Sequence, residues 1–369
     1  MRILAIDVGT GTQDILLFDS DNPVENNVKM IMPSATEIAA RRIRRAGELG
    51  QPILLTGVVA GGGPSSWALE GFIAVGGVAY ATPDAAQTFD DDLDQVRKMG
   101  VRVISDDEAK SIRAERIVLR DLDMQAVRGA LRCFEVSGDF DGIAVGCLDH
   151  GAAPPYVSDR LFRFQHLRRI VEQRNDLLAF AARREDLPEY LTRARAMVAS
   201  AGSEARVAFM DTGPAAALGA LHDERVAASG PERLVLNLGN MHLLAFHLRG
   251  RSVASLYEHH TGELRAEQIV EFTGRLADGT LTHEEIFNSK GHGAFAANRE
   301  LVTAGIPPMV AVTGPQRDKI RGTSLNPCFA APFGDMMISG CFGLLRAFAE
   351  VHPSAREAID ARLGALPDC

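Results

Sequence analysis

Cysteine is scarce in this chain, and its placement excludes several kinds of site. Five cysteines are scattered over 369 residues, and no two of them stand in a C-x-x-C spacing. Disulfide scaffolds, structural zinc knots and iron–sulfur clusters with locally spaced ligands all need paired or closely spaced cysteines. The sequence therefore predicts no iron–sulfur cluster, and we expect most of the cysteines to be small buried hydrophobic residues. The five are Cys133, Cys147, Cys328, Cys341 and Cys369.

The chain also lacks an excess of positive charge and any long hydrophobic run. Its formal net charge is −9 at pH 7, which argues against a nucleic-acid partner because such binding depends on cationic contacts to phosphate. The most apolar stretches, such as residues 71–81, are too short to cross a bilayer. Asp7 interrupts any apolar core of an N-terminal signal peptide. We therefore expect a cytoplasmic protein that contacts neither nucleic acid nor membrane.

The length and the pattern of apolar residues indicate a two-domain α/β protein. Residues 35–50 predict an amphipathic helix with Thr36 at its N-cap. Residues 52–59 predict a strand that runs into a glycine-rich loop at 60–66. Arginines in residues 158–200 stand at helical spacing among apolar residues, and we interpret them as solvated helix faces. Further predicted strands are 28–32, 101–105, 116–119 and 142–146, and a further predicted helix is 124–134.

Residues 3–19, ILAIDVGTGTQDILLFD, carry the clearest functional signal. Two apolar runs, too short for helices, flank a turn that is rich in glycine, threonine and aspartate. Glycines let backbone N–H groups approach an anion, and the carboxylates of Asp7 and Asp14 suit a hard cation, directly or through water. The third glycine of a dinucleotide-binding fingerprint is absent, and the chain has no Walker loop. The prediction is a hairpin that binds phosphate together with a divalent cation.

Later segments repeat or complement this hairpin. Residues 234–246 again read as strand, polar glycine-containing turn and strand. Two such hairpins facing each other would clamp the two sides of a polyphosphate. Residues 206–211 predict a strand that ends in the carboxylate of Asp211, and residues 308–315 predict a buried strand that ends in a Gly-Pro turn.

Small residues mark two helices that are able to pack very closely. Ala216, Ala217 and Gly219 lie in an alanine-rich helix that follows Asp211. Gly340 and Gly343 lie in a second helix, within residues 336–349. Small side chains let another element approach the helix backbone, so both helices are expected to make close contacts.

In this order the segments resemble the actin, Hsp70 and sugar-kinase (ASKHA) superfamily. Residues 6–12 are similar to its phosphate-1 pattern D-x-G-T, residues 211–221 to its first connecting helix and residues 236–240 to its phosphate-2 motif. Residues 312–315 resemble the adenosine loop, and residues 334–349 the second connecting helix. The resemblance implies an α/β, two-lobed actin-like ATPase fold with ribonuclease-H-like cores and a ligand cleft between the lobes. It also implies that ATP with Mg²⁺ binds in that cleft.

The resemblance further implies how the chain is divided. Residues 1–222 would form the N-terminal lobe, with a helical insertion near 158–200, and residues 223–369 the C-terminal lobe. The last helix, at about 335–350, is expected to pack back on the contact between the lobes.

Residue roles follow from the same resemblance. Asp7, with Asp14 nearby, would position Mg²⁺, and Asp149 or Asp211 would be the base that orients an acceptor hydroxyl or a water. Asn237 stands where the phosphate-2 motif usually begins with aspartate, and an amide cannot act as a base. The expected nucleotide contacts are Gly9, Thr10, Gly11, Thr12, Gln13, Gly239, Asn240, Gly314, Pro315 and Gly334.

A closer resemblance is to DUF1786, a family of uncharacterised proteins labelled as pyruvate formate-lyase activating enzymes. The segments that carry it are GGGP at 61–64, DHG at 149–151, DTGP at 211–214 and TGPQR at 313–317. Radical activation needs a C-x-x-x-C-x-x-C cluster site, which this sequence lacks. We therefore do not expect the activity that the label names.

Three functions stay open at this point. The first is an ATP-dependent phosphotransferase or ATPase that acts on a small-molecule acceptor or a protein client. The second is a nucleotide sensor without hydrolysis, which Asn237 and His242 favour. The third is a metal-dependent enzyme in which loop histidines bind a transition metal, with His150 and His242 as the best pair because each lies at a strand end near the cleft. The other loop histidines are His259, His260 and His292, whereas His283 is expected to begin a helix. The sequence does not fix the oligomeric state.

Overall fold

The computed structural model describes residues 1–203, 205–301 and 309–367, apart from the side chain of residue 299. Pro308, within a predicted strand, and Cys369 lie outside these residues. In the described part of the chain the strands are β1 (Arg2–Val8), β2 (Thr12–Asp19), β3 (Val28–Pro33), β4 (Ile53–Gly57), β5 (Ala79–Ala81), β6 (Arg102–Val103), β7 (Glu115–Leu119), β8 (Gly142–Cys147), β9 (Ala182–Arg183), β10 (Val207–Met210), β11 (Glu232–Leu238), β12 (His242–Arg249), β13 (Ser252–His260), β14 (Gly293–Ala296), β15 (Met309–Thr313) and β16 (Cys328–Phe329).

Helices connect these strands. The α-helices are α1 (Ala35–Glu48), α2 (Pro64–Ala74), α3 (Pro83–Ala86), α4 (Leu93–Lys98), α5 (Asp106–Ala109), α6 (Met124–Cys133), α7 (Asp159–Gln173), α8 (Thr192–Ser200), α9 (Thr212–Ala220), α10 (Glu224–Ala227), α11 (Ala266–Ala277), α12 (His283–Asn288), α13 (Ser339–Val351) and α14 (Arg356–Leu363). Short 3₁₀ turns lie at Val24–Asn26, Leu177–Phe180, Arg184–Asp186, Thr261–Glu263, Arg299–Leu301, Arg317–Ile320, Pro332–Gly334 and Pro353–Ala355. Among the described residues no helix is both long enough and apolar enough to cross a membrane.

Most of the local predictions are confirmed. The strands predicted at 28–32, 116–119 and 142–146 are β3, β7 and β8, and the predicted helices at 35–50 and 124–134 are α1 and α6. The strand predicted at 101–105 is reduced to the two residues of β6.

The predicted N-cap of α1 is wrong. Ser34 is the N-cap, and its hydroxyl oxygen accepts from the Glu37 N–H. Thr36 is the second residue of the helix, and its hydroxyl donates to the Gly62 carbonyl oxygen and accepts from the Ser65 N–H. Thr36 therefore holds the glycine-rich loop 60–66 against α1.

Two sheets repeat one topology. The first, called the N-sheet, has the order β3-β2-β1-β8-β10-β9, and the second, called the C-sheet, has the order β14-β13-β12-β11-β15-β16. In each, three antiparallel strands that are consecutive in the chain (β1–β3 and β11–β13) are followed by parallel strands, β8 and β10 in one and β15 and β16 in the other. This arrangement is that of a ribonuclease-H-like core, and its duplication confirms the predicted actin-like fold.

A third, parallel sheet lies between β3 and β8 in the chain. Its order is β6-β5-β4-β7, and it has its own buried core with α1 and α2 that includes Ile43, Leu55 and Phe72. The sequence predicts the alternating elements here but not their separation into a sheet of their own.

Two helices join the N-sheet to the C-sheet. α9 follows β10 of the N-sheet but packs on β11 and β15 of the C-sheet, whereas α13 follows the C-sheet and packs on β1, β8 and β10. The helices also pack on each other, because a Cβ on Gly219 would lie 1.8 Å from the Ser339 carbonyl oxygen, and one on Gly343 would lie 1.9 Å from the Ala215 carbonyl oxygen. The close packing expected from these glycines is confirmed. One buried apolar cluster consequently runs through both sheets.

Candidate functional site

The turns of the two equivalent hairpins meet between the sheets. The Gly9 N–H donates to the Thr12 carbonyl oxygen at 2.9 Å, and the Gly239 N–H donates to the His242 carbonyl oxygen at the same distance. A Cβ on Gly11 would lie only 2.6 Å from Asn240 Nδ2. The turns thus are closed by equivalent hydrogen bonds, and glycine is needed at position 11, where they approach each other.

A cleft of about 930 Å³, partly open to solvent, lies between these turns. The ends of β1 and β11 and the N-terminal ends of α9 and α13 contribute to its lining. The two helices that join the sheets therefore also shape the cleft. The predicted site residues that line it are Asp7, Gly9, Thr10, Gly11, Thr12, Asp14, Asp211, Gly239, Asn240, His242, Gly314 and Pro315.

The remaining predicted residues lie elsewhere. The Gln13 side chain donates to the Pro33 carbonyl oxygen at 2.9 Å and lines a different cavity. Gly334 belongs to a 3₁₀ turn and is not part of the cleft lining. Asp149 and His150 line a neighbouring cavity. Strand alternation gives the reason for Gln13, because successive side chains point to opposite faces of a strand.

Asp7 and Asp14 stand directly opposite each other on β1 and β2. Oδ1 of each is buried and lacks a hydrogen-bond partner among the described residues. Burial raises the pKa of Asp7 to about 8, a hydrogen bond from Thr212 opposes the rise, and the charges of Asp14 and Asp211 add to it. Burial likewise raises the pKa of Asp14 to about 6 against a hydrogen bond from Thr12.

This carboxylate pair fits a divalent cation. Carboxylate oxygens are the ligands that Mg²⁺ prefers, directly or through retained waters. A bound cation would satisfy the two orphaned oxygens and favour the ionised carboxylates. The Asp7 side chain can occupy this position because residue 340 is glycine, since a Cβ there would lie 1.9 Å from Asp7 Oδ2.

Both carboxylates that were predicted as a base have firm partners. Asp211 is the N-cap of α9, where Oδ1 accepts from the Gly213 N–H at 3.1 Å and Oδ2 lies 2.5 Å from Arg163 Nη1. Asp149 accepts from the N–H groups of Gly151 at 2.8 Å and Ala194 at 2.9 Å. Burial raises the pKa of Asp149 although these hydrogen bonds oppose the rise. Of the two, only Asp211 reaches the cleft.

A buried ion triad lies behind Asp211. Arg163 contacts both Asp211 and Glu258, the latter at 3.0 Å, and the arginine side chain is 1% exposed. Burial alone would lower the pKa of Arg163, but the two carboxylates outweigh burial and raise it. The interpretation of the arginines as solvated helix faces is therefore wrong for Arg163. The burial of Arg163 could have been predicted, because at helical spacing it lies on the same stripe of α7 as the buried residues Leu167 and Val171.

Arg193 departs from that interpretation as well. Its guanidinium makes two contacts with the buried carboxylate of Asp121, at 2.7 and 3.1 Å, and donates to the Leu148 carbonyl oxygen. It fixes the loop that follows β8, which carries Asp149 and His150.

Four histidine rings gather at the edge of the cleft. His150 and His242, the predicted pair, have their Nε2 atoms 3.3 Å apart. His292 stacks on His150 and lies edge-on to His242, and His260 contacts His242 and His292. Burial lowers the pKa of His150 to about 3 and that of His292 to about 2, with neighbouring cationic groups adding to both shifts. The rings are thus neutral near pH 7.

Two further histidines named in the sequence analysis, His259 and His283, lie outside this cluster of four. His259 pairs with the Ser289 hydroxyl and with the His260 carbonyl oxygen. His283 is the first residue of α12, which confirms the prediction that it begins a helix.

Comparison with protein-family models shows the family to which the chain belongs. A family model described as "Putative pyruvate format-lyase activating enzyme (DUF1786)" matches residues 60–319. The chain belongs to this family. The match includes the Asp149 loop, α9 and the phosphate-2 hairpin but begins after the hairpin that carries Asp7 and Asp14. No curated protein matches the sequence.

Several solved structures show distant likeness. Ethanolamine utilization protein EutJ from Carboxydothermus hydrogenoformans is 9% identical with a TM-score of 0.31, and the match covers 94% of this chain and 89% of that one. ROK hexokinase from Thermus thermophilus is 13% identical with a TM-score of 0.23, covering 69% and 49%. An exopolyphosphatase-like protein is 10% identical with a TM-score of 0.25, covering 100% and 93%. At these TM-scores the likenesses carry no weight for this DUF1786 protein, whose fold rests on its own duplicated topology.

Proposed function

We propose that this DUF1786 protein binds ATP with Mg²⁺ in the cleft between its sheets and transfers or hydrolyses the terminal phosphoryl group. One observation carries the proposal. Two glycine turns closed by equivalent hydrogen bonds approach each other in a cleft that two buried carboxylates also line, and the Oδ1 atoms of these carboxylates lack partners in the described part of the chain. A chain of phosphates with a divalent cation supplies what each part of this arrangement is missing.

The turns would hold the phosphates from two sides. Thr10, Gly11 and Thr12 offer N–H and hydroxyl donors from the N-sheet, and Gly239 with Asn240 offers donors from the C-sheet. Mg²⁺ would lie on Asp7 and Asp14 and neutralise phosphate charge. Phosphoryl transfer depends mainly on such positioning and charge neutralisation, and little on covalent chemistry by the protein.

The adenosine side of the cleft would be the loop after β15. Gly314 has a φ of +92°, and a Cβ there would lie 2.3 Å from the Leu238 carbonyl oxygen. The loop can therefore lie directly on the end of β11, with Gly314 and Pro315 lining the cleft. Gln13 and Gly334 have no part in the proposed nucleotide site.

Asp211 is the carboxylate that we place against the acceptor or the attacking water. It lines the cleft, whereas Asp149 does not. A second function, a nucleotide sensor without hydrolysis, is favoured by two observations. Arg163 holds Asp211 in a buried ion pair, and the Asn237 amide oxygen accepts from the Thr313 hydroxyl at 3.2 Å. Turnover decides between the two functions.

Calorimetric titration with MgATP, together with an assay for ADP release, tests the proposal. We expect the wild type to bind MgATP and Asp7→Asn to bind at least tenfold more weakly. Asp278→Asn, at an exposed position after α11, is the matched control and should bind like the wild type. ADP release that is lost in Asp211→Asn supports phosphoryl transfer, and binding without ADP release supports the sensor. Wild-type protein that ignores MgATP overturns both.

A further inference from the structure

The histidine cluster draws on both sheets of the fold. His150 follows β8 of the N-sheet, and the others come from the C-sheet: His242 begins β12, His260 ends β13 opposite His242 in register, and His292 precedes β14. Segments this far apart in the chain bring their imidazoles together only through the tertiary fold.

We propose that His150, His242 and His292 form a binding site for a divalent transition-metal ion of the zinc class, reached from a second cavity beside the nucleotide cleft. One nitrogen of each ring lies within 4.8 Å of the others. A tetrahedral ion with metal–nitrogen bonds of about 2.0–2.1 Å spaces its ligand atoms roughly 3.3 Å apart. His150 Nε2 and His242 Nε2 already have that spacing, at 3.3 Å. The ligand nitrogen of His292 lies within 4.8 Å of the other two and would have to approach them by up to about 1.5 Å to complete the set.

His292 is the observation that a metal-free account leaves unexplained. Its ring is 0% exposed, and neither ring nitrogen has a hydrogen-bond partner among the described residues. Leaving a buried polar group without a partner is destabilising, because the group loses its hydrogen bonds to water and gains none in return. A direct hydrogen bond between His150 and His242 would account for those two rings but not for His292. An ion bound by all three accounts for each of them.

The backbone holds His292 in place. Its N–H donates to the Glu258 carbonyl oxygen at 2.9 Å. Glycines flank it on both sides: a Cβ on Gly291 would lie 2.5 Å from the His259 ring, and one on Gly293 would lie 2.4 Å from the His283 ring. Only a loop with glycine at both positions brings the ring this close to its neighbours. Such placement is what a ligand on a short loop requires.

The donor set selects the class of metal. The group consists of three imidazoles without a carboxylate or a thiolate. Imidazole suits zinc, iron, nickel and copper, whereas Mg²⁺ and Ca²⁺ prefer oxygen ligands. Three protein ligands leave a tetrahedral ion one position for a water or a substrate. The histidine site and the Asp7–Asp14 pair would therefore take different ions.

The open position would face the second cavity. This cavity is open to solvent and spans about 1,030 Å³ including its mouth, and its lining includes His150 and His242 together with Gly61, Gly62 and Asp91. Thr10 and His242 line both this cavity and the nucleotide cleft. A small molecule with an oxygen or nitrogen donor would complete the coordination of the ion from this side. Its placement as the phosphoryl acceptor rests on the proposed function, whereas ion binding does not.

Metal analysis of untagged protein purified without chelators tests the site. We expect one equivalent of transition metal per chain. After removal of the metal, titration with Co²⁺ should restore one equivalent and give the visible absorption of a tetrahedral or five-coordinate ion, and azide should shift this absorption because the open position faces the second cavity. His150→Gln/His242→Gln should bind Co²⁺ at least tenfold more weakly. His352→Gln is the control, because this ring contacts the Val207 carbonyl oxygen far from the cluster.

Further measurements distinguish a loss of metal binding from misfolding of the variants. Circular dichroism of the metal-free variants should match that of the wild type, and the single variant His150→Gln, at a loop position, repeats the test should the double variant misfold. Equal Co²⁺ affinity in the wild type and the His150 variants, an unshifted spectrum with azide, or no stoichiometric binding overturns the proposal. Failure of MgATP binding with intact Co²⁺ binding removes the nucleotide function and leaves the metal site standing.

Discussion

The buried carboxylate pair makes the pH dependence of MgATP binding a sharp test of the site. Burial raises the pKa of Asp7 to about 8 and that of Asp14 to about 6. Below these values the metal-free fold holds protons that Mg²⁺ has to displace. Protons and the cation therefore compete, and binding should strengthen as the pH rises.

The magnitude follows from the two pKa values. One pKa unit corresponds to a factor of ten, or about 1.4 kcal/mol. Asp7 alone makes the apparent affinity rise about tenfold from pH 6 to pH 7 and level off above pH 8. Below pH 6 the protonation of Asp14 adds a second proton, so the slope should steepen. At pH 7 binding should release close to one proton.

Asp7→Asn isolates this effect from the titration of ATP itself. The amide has nearly the same shape but cannot exchange a proton for the cation. Titration calorimetry at several pH values, in buffers of different ionisation enthalpy, measures both affinity and proton release. Above about pH 7 the variant should keep only the pH dependence that belongs to the nucleotide, whereas Asp14, with its pKa raised to about 6, still titrates at lower pH. Identical pH profiles in the wild type and the variant, or binding without proton release at pH 7, would refute the assignment of Asp7 to the cation.

The same shift affects folding in the absence of a cation. Because burial raises the folded-state pKa of Asp7 above its ordinary value of 3.8, the stability linked to its proton is fully present below about pH 4. It is lost as the pH rises towards 8, at no more than about 1.4 kcal/mol per pH unit. Mg²⁺ should offset the loss, and urea unfolding at pH 5 and pH 8 with and without Mg²⁺ measures it.

Three further predictions concern single residues. Arg163→Met leaves two buried carboxylates without their partner and should lower the free energy of unfolding by about 3–5 kcal/mol, whereas Arg168→Ala, which removes an exposed ion pair, should cost less than about 1 kcal/mol in the same urea titration. Gly343→Ala forces α13 away from α9 and should lower the free energy of unfolding by about 3 kcal/mol. Gly129→Ala, on an open face of α6, should raise it by about 0.5–1 kcal/mol. Equal effects of the two changes in thermal unfolding would contradict the tight helix contact. Gln13→Ala should leave MgATP affinity within about twofold of the wild type by calorimetry, because the glutamine side chain points out of the cleft, and a tenfold loss would contradict that placement.

Short-range patterns account for the part of the fold that the sequence predicted. Apolar runs around a glycine turn define each hairpin within about fifteen residues, so both hairpins could be recognised locally. Gly219 and Gly343 predicted close packing between two helices, because the lack of a side chain lets the backbone of the other helix lie directly against these positions. The order of these segments in the chain supports the resemblance that implied a two-lobed fold, and the structure shows its duplicated topology.

Long-range contacts account for what the sequence missed. Arg163 meets Glu258 from a position 95 residues away, and no local pattern distinguishes it from its exposed neighbours except its place on the buried stripe of α7. His292 could be identified as a loop histidine, but its burial among three other rings depends on the C-sheet and on the loop after β8 of the N-sheet. The small parallel sheet reads locally like any alternating α/β segment, because strand order is set by packing and not by strand sequence.

The exchange of helices between the sheets has a consequence for synthesis. β1 is made well before α13, so the apolar face on which α13 packs stays uncovered until α13 itself has been made. Phe348 fills the space over Gly142, where a Cβ would lie 2.1 Å from its ring. Roughly 140 residues separate β10 from the end of α13, which is about 10–30 s of translation. During that interval the N-sheet exists as a nascent surface of exposed hydrophobic residues, and this is the stage at which a chaperone would be needed.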